Sequence, residues 1–408
     1  CVSTPLPTNS RAHKGAAKAP ACPQSAISVL FDLPLPPGNV DFHAPSRRLF
    51  FSFHPAGRHI TNGDLPNVAV ARLDALEDGY AAYPNFLEDK YKWATVLALR
   101  VCGDSLWLLD HADLGGHETL APSLFEIDLN TDQVVFQRDF TKDEAKGMLN
   151  DFVCSKDGQS LFIADAGISQ ESYAIIRYDL GTNLATRYLE GHASTQPIDL
   201  VPILGGETPL DMPWKVGVDS IAIRSTVWHS DGDGVDGVTA PGESGKTAHP
   251  AAGEELVFSS IYSTHFWTVN TRALRRDRDG NDIARRAVRA LGPKGFQSKS
   301  VSDGIVCGRD GRIYVTDFEH FAITVTGPHG ASVRVLAQDE QLLRWPDGVA
   351  LSPDGHDMFV ASSAIHEIVA GDHHEKGPFH LVRIDLEACG SELSDVEAEV
   401  TAVGRSEL

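Results

Sequence analysis

Basic residues are scarce in this chain: 35 Lys and Arg stand against 56 Asp and Glu over 408 residues, a formal charge of −21. That surplus repels phosphate backbones and anionic lipid surfaces, and no dense basic run offsets it, so nucleic acid is not expected as a partner. Long apolar runs are also missing. The longest, Trp93 to Val101 interrupted by Arg100, falls far short of the roughly 18 residues a membrane-spanning helix needs. Cysteine is sparse, with six residues and no C-x-x-C pair, which argues against a disulfide scaffold, a zinc ribbon and a thioredoxin-like site. No G-x-S-x-G elbow occurs and no Cys stands in a Cys-His motif, so covalent Ser or Cys catalysis is disfavoured. No long stretch has helical periodicity.

What the chain does have is a repeated strand pattern. From residue 24 onward, short runs rich in Val, Ile, Leu and Phe alternate with Asp-Gly, Asn and Pro turns, the signature of an all-β chain. One unit runs from Asp151 to Asp165 and continues through Ile175–Leu180 and Ala185–Leu189, giving four strands. It returns at Ser302–Asp317 and at Pro346–Ser362, with the turn Asp310-Gly311 recurring at Asp354-Gly355 after about 44 residues, close to the roughly 40–50 of a propeller blade. Weaker copies lie around Leu97–Phe136, Val218–Leu274 and Asn39–Leu73. Six such units bury one another radially where one alone cannot. The reading is a six-bladed β-propeller with four-stranded blades, its ring closed by the N-terminal run Ile27–Leu33 as outer strand of the last blade.

Residues 1–23, rich in Pro, Ala, Ser, Thr and Lys, read as a flexible tether; residues 24–392 form the propeller, and 393–408 a C-terminal tail. Residues 231–253, rich in Gly and Asp, read as a loop inserted in blade 4. A chain that starts at Cys1 and continues as a polar tether is what cleavage of a lipoprotein signal peptide leaves, and an arbitrary boundary at Cys explains it equally well. Export to the periplasm or outside the cell is compatible with both. Cys22 and Cys389 flank the first and last strands, so ring closure would let them form a disulfide; two unpaired thiols are the alternative. Cys102, Cys154 and Cys307 recur near the ends of first strands, as small buried residues do, and are expected to be free and inert.

Several of these segments carry a family resemblance. Leu149-Asn-Asp-Phe152 leading into Phe162-Ile-Ala-Asp165, then Arg177-Tyr-Asp-Leu180 and Glu190-Gly-His192, with Ser302-Asp-Gly304, Tyr314-Val-Thr-Asp317 and Phe318-Glu-His-Phe-Ala-Ile323, resemble the yellow and major royal jelly protein family. More distantly the chain is similar to gluconolactonase and regucalcin-like propellers, metal-dependent hydrolases of lactones and related esters. That second resemblance implies a divalent cation, Ca²⁺ first, on the central axis, with Asn39, Asn150, Asp219 and Asp303 as the matching ligand positions and Asp347 as a further one. At position 39 the hydrolases carry Glu, so this chain has one negative charge fewer there.

Carboxylates at matching positions of different blades converge on one channel mouth, and such a ring of oxygens suits Ca²⁺. Asp303 is the first choice of general base and Asp347 the second, with Asp151 orienting its neighbour Asn150. The plain alternative makes Asp303 and Asp347 acceptors in Asp-Gly turns. Among 17 His, His111, His265, His320 and His366 lie near the ends of comparable strands. They read either as a rim cluster for proton transfer, with His111 foremost, or as scattered solvated residues; His373 and His374 read as solvated. Two loops, Asp231–Asp236 and Asp277–Asp282, have the D-x-D-G-x-D spacing of half an EF-hand but lack its closing Glu, and solvated turns are preferred. Three functions follow: lactone or ester hydrolysis over a cation, binding of a small molecule without turnover, or tautomerisation of a quinone through His111.

Overall fold

Apolar residues on both faces of each repeat leave it no way to fold alone, and the chain responds by packing six sheets around one axis. The computed structural model describes residues 19–60, 66–84, 93, 95–112, 121–167, 172–210, 215–227, 252–274, 280–292, 297–330, 332–369 and 378–390. Each blade is an antiparallel four-stranded sheet. Blade 1 is Pro37–His43, Arg48–Phe53, Val68–Arg72 and Tyr80–Ala82; blade 2 is Val96–Cys102, Ser105–Asp110, Ser123–Asp128 and Gln133–Asp139. Blade 3 is Leu149–Cys154, Ser160–Asp165, Ala174–Asp179 and Leu184–Tyr188. Blade 4 is Val218–Val227, Ala252–Ser260, Trp267–Asn270 and Arg289–Ala290, and blade 5 is Ser302–Cys307, Ile313–Asp317, Ala322–Thr326 and Val333–Gln338. Blade 6 takes Pro346–Leu351, Asp357–Ser362 and Phe379–Asp385 and borrows Ile27–Leu33 as its outer strand. Pairing of Ile27 with Ile384 and of Leu33 with Phe379 closes the ring.

Blades 1 and 4 extend beyond the segments that sequence periodicity marked, because their outer strands are short and follow irregular connections. In blade 4 that connection contains a helix, α1 (Gly280–Ala287), which buries Ala284 against the sheet. A two-stranded hairpin, Ile203–Leu204 with Thr208–Pro209, lies between blades 3 and 4 and is tied to blade 5 through Glu319, whose Oε1 accepts from the Ile203 N–H at 2.7 Å.

Cys22 and Cys389 are joined in a disulfide across a sequence separation of 367. Ala21 and Cys22, assigned to the tether by composition, are instead buried, and their N–H groups donate to Val335 O at 3.1 Å and Leu336 O at 2.8 Å in blade 5. The bond therefore fastens the chain's start beside the seam where the ring closes. Cys102 and Cys154 are also joined, contrary to the expectation of free thiols. They end the first strands of adjacent blades, which run side by side around the axis, so equivalent positions come to a Cα separation of 6.3 Å. Cys307 ends the first strand of blade 5, flanked by Ile223 and Leu351 rather than Cys, and is the one free thiol among the described residues. Burial pushes its pKa up to about 12, which suits an inert thiol. Residues 1–18, 228–251, 275–279, 370–377 and 391–408 lie outside the described residues, and with them Cys1, the loop Asp231–Asp236, the first half of Asp277–Asp282, His373 and His374.

A disulfide that closes so long a loop stabilises chiefly by restricting the unfolded chain. Replacing Cys22 and Cys389 by Ser should lower the unfolding free energy by roughly 2–5 kcal/mol, whereas Cys307→Ala should change it by less than about 1 kcal/mol. Chemical denaturation under non-reducing conditions measures both.

Candidate functional site

The start of every innermost strand carries the same irregularity. In blade 3 Leu149 faces Asp165 but Phe152 faces Ile163, so one residue is extra. The same slip occurs between Pro37 and Val40, Val96 and Ala98, Val218 and Ser220, Ser302 and Ile305, and Pro346 and Val349. A bulge takes a residue out of the ladder and re-aims its side chain. The residues just inside the six slips are Gly38, Leu97, Asn150, Asp219, Asp303 and Asp347, and one step further come Asn39 and Asp151. The acidic ring is thus a product of six aligned bulges, with its polar members in blades 3 to 6.

Asp303-Gly304 and Asp347-Gly348 are therefore strand residues, not turns. A Cβ on Gly304 would lie 2.3 Å from the Asp347 carbonyl oxygen, and one on Gly348 2.5 Å from the Asn39 Cα. Glycine follows the carboxylate because neighbouring blades approach there. The tight turns are Asp310-Gly311 and Asp354-Gly355, whose glycines have φ of 82° and 80°.

Hydrogen bonds link the ring. Asn150 Nδ2 donates to Asp219 Oδ1, Asp219 and Asp303 are in carboxyl–carboxyl hydrogen-bond contact, and Trp345 Nε1 donates to Asp303 Oδ2 at 2.6 Å. Asp347 lies against the Ser363 hydroxyl. Asn39 turns away from this group. Its Nδ2 donates to Asp151 Oδ1 at 3.3 Å, and its Oδ1 accepts from the Val40 N–H at 2.8 Å and from Arg100. The structure thus brings Asn150, Asp219 and Asp303 together and assigns Asn39 to a separate cluster with Asp151.

Like charges crowded in a channel cannot all ionise freely. Burial raises the Asp219 and Asp347 pKa values well above the usual carboxylate range, and the Asp303 and Asp151 charges push both the same way. Burial also raises Asp303, with the Trp345 hydrogen bond and Asp219 working against it. Two cations answer this charge. Arg100 reaches in from blade 2, its Nη2 2.7 Å from Asp151 Oδ2, and its charge opposes the burial that raises the Asp151 and Asp41 pKa values. Lys299 is 2% exposed, and its Nζ donates to Ser263 O at 2.9 Å and Ser260 O at 3.3 Å. Burial lowers its pKa to about 7 although Asp219, Asp317, Asp303 and Glu319 all favour its charge.

Sequence reasoning missed both cations, Trp345 and His54. Arg100 left a signal, since it interrupts the apolar run of an innermost strand; Lys299 left none. The four His of the expected rim cluster each have their own surroundings. His111 is buried beside His54, His265 Nδ1 is 3.2 Å from the Thr264 hydroxyl, and His320 Nδ1 is 2.8 Å from Asp317 Oδ2. His366 stacks on Trp345 with ring centres 5.8 Å apart. At the opposite mouth of the channel, a cavity of about 510 Å³ is lined by Asp41, Arg100, the Cys102–Cys154 disulfide, Tyr314 and aliphatic side chains from blades 2 to 6.

Residues 214–386, covering blades 4 to 6, match the sequence profile of the family described as major royal jelly protein. Among solved structures, a regucalcin from Agrobacterium tumefaciens strain C58, a calcium-binding protein, is similar at 12% identity, covering 87% of this chain and 92% of that one with a TM-score of 0.50. A gluconolactonase from Xanthomonas campestris is similar at 13% identity over 88% of both chains, TM-score 0.47. No curated protein sequence matches. The chain thus resembles the major royal jelly proteins in sequence over its second half, and it shares the six-bladed fold of regucalcin; at this identity the structural likeness speaks for the fold.

Two outcomes test these electrostatics. Arg100→Met leaves Asp151 buried without its partner and should cost about 3–5 kcal/mol of stability, much of it recovered in Arg100→Met/Asp151→Asn; equilibrium denaturation of the variants decides this. His54 is held neutral, its pKa lowered to about 3 by burial and then by His111. The unfolded chain takes up a proton at this residue below the ordinary His value of 6.5 and the folded chain does not until about 3, so stability is lost as pH falls through that window. His54→Asn, which keeps an acceptor for the Ala56 N–H, should shift the acid-unfolding midpoint to lower pH.

Proposed function

We propose that the protein is an exported hydrolase that opens a small lactone or ester over a divalent cation held at the acidic ring. The observation that carries this reading is the convergence of Asn150, Asp219 and Asp303 from three successive blades into direct hydrogen-bond contact. An amide and two carboxyl groups are oxygen donors of the kind Ca²⁺ takes, and these three residues would hold it. Asn39 is left to Arg100 and Asp151. When bound, the cation polarises a carbonyl oxygen and offsets the negative charge that develops there.

The chain's own residues do the rest. Asp347 Oδ takes the proton of the attacking water, since burial and the Asp303 and Asp151 charges raise its pKa and make its carboxylate a stronger base. Asp303 comes second for this role because Trp345 and Asp219 occupy its oxygens. Asp151 keeps Arg100 and Asn39 in place. Two disulfides support export, because such bonds form and persist in oxidising compartments.

A second reading, binding of a small polar molecule without turnover, is favoured by Arg100, which already supplies positive charge in the channel. Tautomerisation of a quinone would call on His111 and its neighbour His54, and would proceed without consuming water.

Proton release from a panel of sugar and aliphatic lactones, with Ca²⁺ and again after chelation, distinguishes these readings. Hydrolysis predicts chelator-sensitive turnover that falls by at least about a hundredfold in Asp303→Ala. No turnover in either condition would sink the hydrolase. Because burial and the neighbouring carboxylates favour the protonated form of Asp219, which must ionise to bind the ion, Ca²⁺ affinity should rise with pH, and calorimetry in buffers of different ionisation enthalpy should detect the released protons.

A further inference from the structure

We infer that Trp345 is a positioning residue of the site: its indole N–H aims the Asp303 carboxylate and thereby sets the affinity for a divalent cation. The inference rests on the cation site proposed above. Trp345 immediately precedes the first strand of blade 6, whereas Asp303 is the second residue of that of blade 5, so the hydrogen bond of 2.6 Å from Nε1 to Oδ2 crosses the blade boundary. It engages one oxygen of Asp303 and leaves the other free to face Asp219. A charge-assisted bond of this length orients a carboxylate more firmly than a neutral one.

The indole is itself fixed. It is 3% exposed and lies between two rings, Phe318 at 3.9 Å with planes 10° apart and His366 at 5.8 Å with planes 17° apart. Phe318 follows the second strand of blade 5, and His366 belongs to α2 (Ile365–Val369) after the second strand of blade 6. The indole therefore cannot swing without parting both blades. The Trp345 backbone has φ of 52°, a left-handed conformation that a bulky residue adopts only where its surroundings hold it. Its carbonyl oxygen accepts from the Ser363 N–H at 3.0 Å, which fixes that backbone. Packing alone would be satisfied by Phe at this position. The N–H is the feature only Trp adds, and it points at a carboxylate of the ring.

The test is Ca²⁺ titration by calorimetry on the full chain, comparing wild type, Trp345→Phe and Asp303→Asn, together with indole N–H spectra of protein carrying ¹⁵N-labelled Trp. Trp345→Phe keeps the ring stack and loses the donor; its Ca²⁺ affinity should fall about tenfold at constant pH while its thermal midpoint stays near that of wild type. In the spectra, the Trp345 N–H resonance should lie downfield in wild type and move in Asp303→Asn. A lowered thermal midpoint with unchanged Ca²⁺ affinity would make Trp345 purely structural and overturn the inference. An N–H resonance unmoved by Asp303→Asn would overturn it too, even if Trp345→Phe fails to fold. If wild type binds no Ca²⁺, the cation site itself falls, and the assignment of Trp345 to it falls with it.

Discussion

Closure of the ring is the constraint on which the rest depends. A four-stranded blade with two apolar faces must be covered on both sides, so the sixth blade has to meet the first. The chain meets this demand by lending Ile27–Leu33 to a sheet otherwise built from residues 346–385, and by bonding Cys22 to Cys389 next to that seam. Loss of closure would expose the edges of two blades and release the radial pressure that holds innermost strands side by side. The Cys102–Cys154 bond has a similar effect inside the ring, locking blade 2 to blade 3 at the mouth opposite the acidic ring.

Close approach of the innermost strands then produces the site. Six strands crowded around an axis leave no room for a regular ladder and a full side chain at every position. Gly304 and Gly348 show the crowding directly, since a Cβ on either would meet a neighbouring backbone. The bulges relieve it and turn one residue per blade into the channel. Carboxylates at these positions are costly, because burial and mutual repulsion both oppose ionisation. Asp303 carries that cost most lightly: its pKa is raised, but Trp345 and Asp219 both hold it down.

How much of this was legible in the sequence follows from which interactions are periodic. Strands, turns and blade count repeat with the chain, so Asp151–Asp165, Ser302–Asp317 and Pro346–Ser362 announced them. Asn150, Asp219 and Asp303 were legible for the same reason, as they occupy one position in successive repeats. Asn39 was misplaced because the repeat there reads Pro37-Gly38-Asn39, and only the register shows that Gly38, not Asn39, matches Asp303. Cys102 and Cys154 were read as buried thiols because recurrence along the chain does not say that adjacent blades bring the two together. Lys299 and Trp345 lie in connections before strands, outside the repeat, and nothing in the local pattern ties them to residues in another blade.

The amide at position 39 takes its meaning from Arg100. A Glu there could not donate to Asp151, and two carboxylates would then compete for one guanidinium. Asn39 donates to Asp151 and accepts from Arg100 at once, so the neutral residue is what allows Asp151 to sit in the channel. The negative charge at this point of the channel sits on Asp151, one blade boundary beyond Arg100. Asp41, Asp151, Asp219, Asp303 and Asp347 still outnumber Arg100 and Lys299, and that excess must be covered by protons or by a cation from solution. Protons suffice at low pH. As pH rises they are released, and each further ionisation adds a charge that burial and the neighbouring carboxylates oppose.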